Sequence, residues 1–249
     1  MKAIKLFIKW VFAKMGYSIT HIPEGGRILD TVEPYSVLPN TYSNVVDLEK
    51  ISAVASSVPG MISMLSGKLM YVLCYFQKEL GDVVEVGSWQ GRSASFLARA
   101  TVESRNGNFF AIDHFKGNRG KEHYYVIEKE DLSDLKTGFY NNMTRIGLEK
   151  NITLLDMPND TAVSHLSGKS VRFLFIDGDH TGEGVKKDID LFFPLLTDGA
   201  LVVFDDYSKR FPELLEVVDQ LLSKHKHYRV MTYANTLVLK YSVTTATQN

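Results

Sequence analysis

Asp82-Val83-Val84-Glu85-Val86-Gly87-Ser88-Trp89-Gln90-Gly91-Arg92-Ser93 decides the fold. Val83 to Val86 is a short apolar run, cut off by Gly87 and then Gly91. The run that follows, Ala94-Ser95-Phe96-Leu97-Ala98-Arg99-Ala100, is helix-forming. That order predicts a buried parallel strand, a tight turn and a helix. Both glycines permit positive φ and close approach of a ligand to the backbone. Ser93 or Ser95 is placed to satisfy free N–H groups at the helix start. The turn then lies at the carboxyl end of a first strand, where open α/β sheets bind ligands. Gly-x-x-x-Gly is neither the dinucleotide fingerprint nor a phosphate loop ending in Gly-Lys-Ser/Thr. Glu85 stands inside an otherwise apolar strand and points toward the turn. Its carboxylate suits either a ligand with a cationic amino group or a structural Lys or Arg.

Downstream, apolar runs alternate with helical ones. Asn106-Gly107 is a turn signal, and Asn108-Phe109-Phe110-Ala111-Ile112-Asp113 is a second buried strand ending in an acid. Its separation from the glycine turn, about twenty residues, is where doubly wound folds place an acceptor for ribose hydroxyls. The competing role is a cap or loop carboxylate. Residues 115–135, charged and aromatic, form an insertion at the ligand-facing edge. Ser133 to Leu148 is helical and Ile152 to Leu155 is a third strand. Asp160 and Thr161 then either cap a helix over Ala162 to Leu166 or reach an adenine ring.

Val171 to Asp177 is a fourth strand, followed by Gly178-Asp179-His180 and a helix from about Glu183 to Phe193. After a turn at Asp198-Gly199, Ala200 to Phe204 is a fifth strand that ends in Asp205-Asp206. Parallel strands with right-handed crossovers bring all these ends to one edge, so Asp177, Asp205 and Asp206 converge beside the glycine turn. Carboxylates so close repel unless a cation joins them, and magnesium takes oxygen ligands of this kind. Without metal, Asp206 caps a helix and Asp177 binds a ligand hydroxyl. His180 is placed to act as a general base, or as a helix-start histidine bonded to a carboxylate. Phe211 to Ser223 is an amphipathic helix. His227 to Tyr233 and Thr236 to Tyr241 make an antiparallel hairpin. The fold class is α/β, a Rossmann-like, doubly wound seven-stranded sheet with an antiparallel C-terminal hairpin strand.

Around this core, residues 1–50 read as an amphipathic helix and connecting arm, and residues 51–249 as one domain. Met1 to Met15 places Lys2, Lys5 and Lys9 on one helical face and Ile4, Phe7, Ile8, Val11 and Met15 on the other. Packing on the domain, on a second copy, or on a membrane surface fits that face. Residues 16–48 are irregular, with Pro23, Gly25, Gly26, Pro34 and Pro39. Leu48 to Ser56 and Met61 to Leu80 are two helices broken at Pro59-Gly60. Formal net charge is −1, so no bulk field argues for a nucleic-acid partner. The one cysteine, Cys74, sits in an apolar run. No disulfide can form within the chain, which suits a reducing, cytoplasmic setting.

Glu85 to Ser93 resembles the first motif of class I S-adenosylmethionine-dependent methyltransferases, and Asp113 matches their acid after the second strand. Ile176-Asp177-Gly178-Asp179-His180 and Gly199 to Tyr207 resemble a narrower branch. That branch holds macrocin-type sugar O-methyltransferases and cephalosporin-biosynthesis methyltransferase-like proteins. The likeness covers roughly residues 60–241. It implies that Glu85, Gly87 and Gly91 hold the methionine part of S-adenosylmethionine, with Ser88, Trp89 and Ser93 of the same turn as further cofactor-binding candidates. It implies Asp113 at the ribose hydroxyls and Asp160 and Thr161 near the adenine; His114, next to Asp113, is a further candidate for contact with the cofactor. By the same likeness Asp177, Asp205 and Asp206 bind magnesium, and His180, by its place after the fourth strand, stands beside them as the base. Gly182 departs from the pattern, standing where many relatives carry an aromatic residue. The expected activity is O-methylation of a sugar or glycosylated metabolite. The alternatives are a non-methylating metal enzyme on the same fold and a non-catalytic cofactor-binding partner.

Overall fold

The computed structural model describes residues 17–19, 32–34, 47–117, 134–224, 229–233 and 235–242. The expected amphipathic helix over residues 1–15 and most of the insertion at 115–135 lie outside them. Tyr17–Ile19 (β1) and Val32–Pro34 (β2) form a short antiparallel ribbon within the segment expected to be irregular. Leu48–Ser56 (α1) starts after Asp47, whose carboxylate accepts the Lys50 N–H at 2.9 Å. Met64–Phe76 (α2) is capped the same way by Ser63, shorter at both ends than its apolar periodicity suggested.

The main sheet uses Asp82–Val86 (β3), Phe109–Ile112 (β4), Ile152–Leu155 (β5), Val171–Ile176 (β6), Leu196–Phe204 (β7), Arg229–Tyr233 (β8) and Thr236–Lys240 (β9). Their order is β5-β4-β3-β6-β7-β9-β8, with β9 antiparallel to both neighbours and the first five strands parallel. β3, β4 and β6 are buried along their whole length, because helices cover both faces of a parallel sheet. β5, at the edge, is only partly buried. Side chains alternate between faces. Val83, Phe109, Phe173 and Val203 pack under α2 and Arg92–Ser104 (α3), while Val84, Ile112, Ile176 and Phe204 face Gly182–Phe192 (α6) and Pro212–Lys224 (α7).

Two helix-boundary expectations change. Gly91, not a serine, stands at the start of α3: Ser95 Oγ donates to the Arg92 carbonyl at 2.6 Å, and no side chain caps the helix. The Asp198-Gly199 turn becomes an irregularity inside β7. Val171 pairs with Leu196 but Phe173 with Leu201, so the extra residues bulge out of register. Leu135–Arg145 (α4) and Asn159–Ala162 (α5) complete the layers.

Candidate active site

From β3 the chain steps to β4 and β5 on one side and later to β6 and β7 on the other. The direction reverses between β3 and β6, the place where such sheets leave a crevice. A cavity of about 540 Å³ opens there, within the range of small-molecule sites. It is lined by Gly60–Ser63, Val86–Trp89, Arg92–Ser93, Ile112–Phe115, Asn159, Asp177–His180, Asp205–Asp206, Arg210–Phe211 and Asn235, among others.

The glycine turn is held by its neighbours. Gly87 has φ +86°, and a Cβ there would stand 2.1 Å from the Asp177 carbonyl oxygen, so the two loops at the crevice meet only over glycine. Gly91 has φ +97°, and its Cβ would meet Met143 at 2.6 Å. Close approach at Gly91 thus serves α4, not a ligand, and Gly91 does not line the cavity. Asp113 Oδ2 accepts the Ser88 and Trp89 N–H groups at 3.0 and 2.8 Å, and its Oδ1 accepts Phe115 N–H at 2.6 Å. Trp89, at φ +43°, is pinned by that bond. His114 lines the cavity and its Nδ1 accepts the Lys116 N–H at 3.0 Å.

Glu85 is fully buried behind the turn and does not itself line the cavity. Ser88 Oγ donates to Glu85 Oε2 at 2.8 Å, while Oε1 has no hydrogen-bond partner among the described residues. Burial pushes its carboxyl up to about 8, against the opposing pull of the Ser93 and Ser88 hydroxyls. No Lys or Arg forms an ion pair with it among the described residues.

The strand-end acids do converge. One oxygen each of Asp177 and Asp206 and one ring nitrogen of His180 lie within 4.8 Å of one another. His180 Nε2 is 3.5 Å from Asp177 Oδ1 and 3.8 Å from Asp206 Oδ2, and its ring packs on Phe211 at 4.6 Å. Burial, then the Asp206 and Asp113 charges, hold the Asp177 carboxyl well above the ordinary range. Burial pulls the His180 imidazole below its ordinary value, although Asp206 and Asp205 work against it. The expected trio differs in one member. Asp205 is 7% exposed and its Oδ1 accepts from Thr236 Oγ1 at 3.1 Å. His180 takes its place in the close cluster. Asp205 still feels the cluster: burial, then Asp177 and Asp206, raise its carboxyl to about 7. Asp206 has φ +53° and its Oδ1 accepts Asn235 Nδ2 at 2.8 Å, so it is a strained loop residue.

At the β5 end the expected residues face away. Asp160 pairs with Lys187 at 2.8 Å and Thr161 Oγ1 lies 3.3 Å from Asp160 Oδ1; both are exposed, and neither lines the cavity or caps α5 by its side chain. α5 begins at Asn159, three residues before the expected Ala162, and Asn159 is the residue that reaches the cavity. Gly182 also lies off the cavity: its N–H donates to Glu213 Oε2 at 2.7 Å, and a Cβ there would touch Val217 at 3.6 Å.

Sequence reasoning missed three parts. Arg92 lines the cavity and donates Nε to the Val58 carbonyl (2.9 Å) and Nη1 to the Ile62 carbonyl (3.3 Å), which binds the α1–α2 loop over the turn. Asn235, in the β8–β9 turn, holds Asp206. Ser63, Ser66 and Thr236 form a hydroxyl chain to Asp205, with steps of 2.9, 3.2 and 3.1 Å. The Gly-Arg-Ser run and the hairpin turn were visible signals for the first two; nothing local marked the third.

Residues 84–207 match the family model described as "methyltransferase domain". An uncharacterized protein of Acanthamoeba polyphaga mimivirus is 25% identical over 160 residues, 59% of this chain and 62% of the relative. The match thus spans under two thirds of that relative's length. Among solved structures, Podospora anserina methyltransferase PaMTH1, bound to S-adenosylhomocysteine, is similar at TM-score 0.57 and 13% identity, over 83% of this chain and 98% of its own. TomG of Streptomyces achromogenes, an O-methyltransferase of tomaymycin synthesis in complex with S-adenosylmethionine, scores 0.54 at 15% identity, over 78% and 89%. A Bacillus cereus O-methyltransferase in complex with S-adenosylhomocysteine scores 0.52 at 15% identity, over 82% and 94%. Sequence match and fold agree: residues 84–207 match a methyltransferase domain, and the sheet they build has the fold of solved methyltransferases.

Proposed function

We propose that this protein transfers the methyl group of S-adenosylmethionine to a hydroxyl oxygen of a sugar or glycosylated metabolite, with a divalent ion, magnesium by preference, assisting. The observation that carries this reading is one cavity bounded by both the glycine turn and the Asp177–His180–Asp206 cluster. The residues fit the cofactor. Glu85 keeps a buried oxygen without a partner behind Ser88, and a cationic amino group arriving there draws the proton off the carboxyl. Gly87, Ser88, Trp89 and Ser93 lie on the wall where the amino-acid tail would rest. Asp113 serves the ribose with the lone pairs that its three N–H bonds leave over.

The residues fit a hard divalent ion as well. Asp177 and Asp206 present converging oxygen donors beside the His180 imidazole, which stays free of the ion, and no Lys or Arg neutralises either carboxylate by an ion pair among the described residues. Bound there, the ion would lower the pKa of a coordinated hydroxyl. The chain's own work is positional. The turn and Asp113 fix the donor, and the Phe211 ring and the His180 imidazole close the acid side against water. His180, kept neutral by burial, takes the acceptor's proton at Nε2 as the oxygen attacks the methyl carbon. The sugar acceptor is supported by the macrocin-type motif set and by the polar rim of Asp179, Asn235 and Arg210. Buried, unpaired Cys74 agrees with a reducing cytoplasmic compartment. Among the described residues no helix is long and apolar enough to cross a membrane. Association through residues 1–15, with a second copy or a membrane surface, belongs to the same proposal.

The test is incubation with methyl-labelled S-adenosylmethionine, magnesium and a panel of glycosides. Label in a product, lost with Asp177→Asn, supports the reading. Cofactor binding without transfer to any acceptor favours the non-catalytic alternative.

A further inference from the structure

Asn159 opens α5 after the end of β5 and lines the cavity there. Its amide nitrogen donates to Asp188 Oδ1 at 2.6 Å. Asp188 belongs to α6 and is 2% exposed, and its Oδ2 is buried with no hydrogen-bond partner among the described residues. That oxygen lies behind the cavity wall: a Cβ on Gly178, itself a lining residue, would stand 3.4 Å from it. Asp188 therefore meets a ligand through Asn159, not directly.

A carboxylate accepts hydrogen bonds and does not donate them. Asn159 has to turn its NH2 toward Asp188, which commits one N–H to that carboxylate and fixes the carbonyl oxygen as the acceptor the amide offers a ligand. Purines differ at position 6: adenine carries a donating amino group there, while a 6-oxo purine carries an accepting oxygen. A carbonyl oxygen meets the first with a hydrogen bond and the second with lone pair against lone pair.

We propose that Asp188 is a positioning residue that sets the base preference of the cofactor site. It holds the Asn159 amide so that the carbonyl accepts from the adenine 6-amino group and opposes a 6-oxo purine. The inference rests on the cofactor reading above. It assigns the base contact to Asn159, the neighbour of the Asp160 that the sequence motif suggested.

The test compares S-adenosylhomocysteine with its hypoxanthine counterpart, S-inosylhomocysteine, by calorimetric titration of the full-length protein. The wild type is expected to prefer the adenine compound by about tenfold or more. Asp188→Asn lets the Asn159 amide take either orientation, and the preference is expected to fall to within about threefold or to reverse. A purely structural role would weaken both compounds alike and leave the ratio intact. Asn159→Ala is the second variant, in case Asp188→Asn does not fold, and its ratio is expected near unity. Equal wild-type affinity for the two compounds, or a wild-type ratio retained in either variant, overturns the proposal while leaving the cofactor reading standing. A wild type that binds neither compound fails the cofactor reading itself.

Discussion

The Asp113 carboxylate bridges two strand ends: one oxygen accepts the backbone N–H groups of both Ser88 and Trp89, at 3.0 and 2.8 Å. The acid after β4 thus shapes the glycine turn before any ribose arrives. Hydrogen bonds to a charged acceptor are worth about 1.5–3 kcal/mol each, and removing the acceptor leaves turn amides unsatisfied. Asp113→Ala is expected to lower unfolding free energy by about 3 kcal/mol and to weaken S-adenosylhomocysteine binding. Urea denaturation and calorimetry check the two halves. A variant of unchanged stability would mean the turn holds itself.

Metal-free protein should lose stability as pH rises. Burial raises the Glu85 carboxyl to about 8 and the Asp205 carboxyl to about 7. The folded chain then keeps protons that the unfolded chain releases near pH 4 (approximately). The stability from this source is complete below that unfolded value and is lost as pH rises through the folded values. Each such proton contributes a slope of up to about 1.4 kcal/mol per pH unit. Urea midpoints measured with chelator are therefore expected to be higher near about pH 5 than near about pH 8. Glu85→Gln should flatten the profile by one proton's share. A profile that rises toward alkaline pH would show these carboxyls ionised in the fold.

Asn235 sets the Asp206 carboxylate that faces His180. Groups that orient a metal ligand typically change affinity by about 10–100-fold. Asn235→Ala is expected to weaken manganese binding, followed by electron paramagnetic resonance, by about tenfold with little change in melting temperature. Unchanged affinity would assign Asn235 to the hairpin alone.

Arg172, fully buried, has no acidic partner among the described residues and donates to the Gly81, Cys74 and Asn106 carbonyls. It ties α2, the β3 entry and the α3–β4 turn at the edge of the sheet opposite the cavity. Arg172→Met strands those carbonyls, each costing about 1–3 kcal/mol. A loss of about 3 kcal/mol or more is expected, with S-adenosylhomocysteine affinity per folded molecule unchanged. Altered affinity would show that the two edges are coupled.

What local pattern could show, it showed. Apolar runs at Val83–Val86, Phe109–Ile112 and Val171–Ile176 had to be buried strands, and their acids had to meet once the strands ran parallel. The rest depended on partners distant in the chain. Thr236 reaches Ser66 and so draws Asp205 out of the close cluster. Met143 explains Gly91. Whether Asn159 or Asp160 enters the cavity turns on how the chain leaves Pro158, which no periodicity encodes. The Tyr17–Ile19 and Val32–Pro34 ribbon was hidden by a segment rich in glycine and proline.

The central claim is a methyl donor lying over the β3–β6 crevice. Calorimetric titration of the full chain with S-adenosylhomocysteine tests it most directly. The account predicts one site per chain, with affinity lost in Gly87→Val, where the side chain would collide with the Asp177 backbone. Absence of heat at millimolar ligand from wild-type protein shown to be folded by circular dichroism would contradict it.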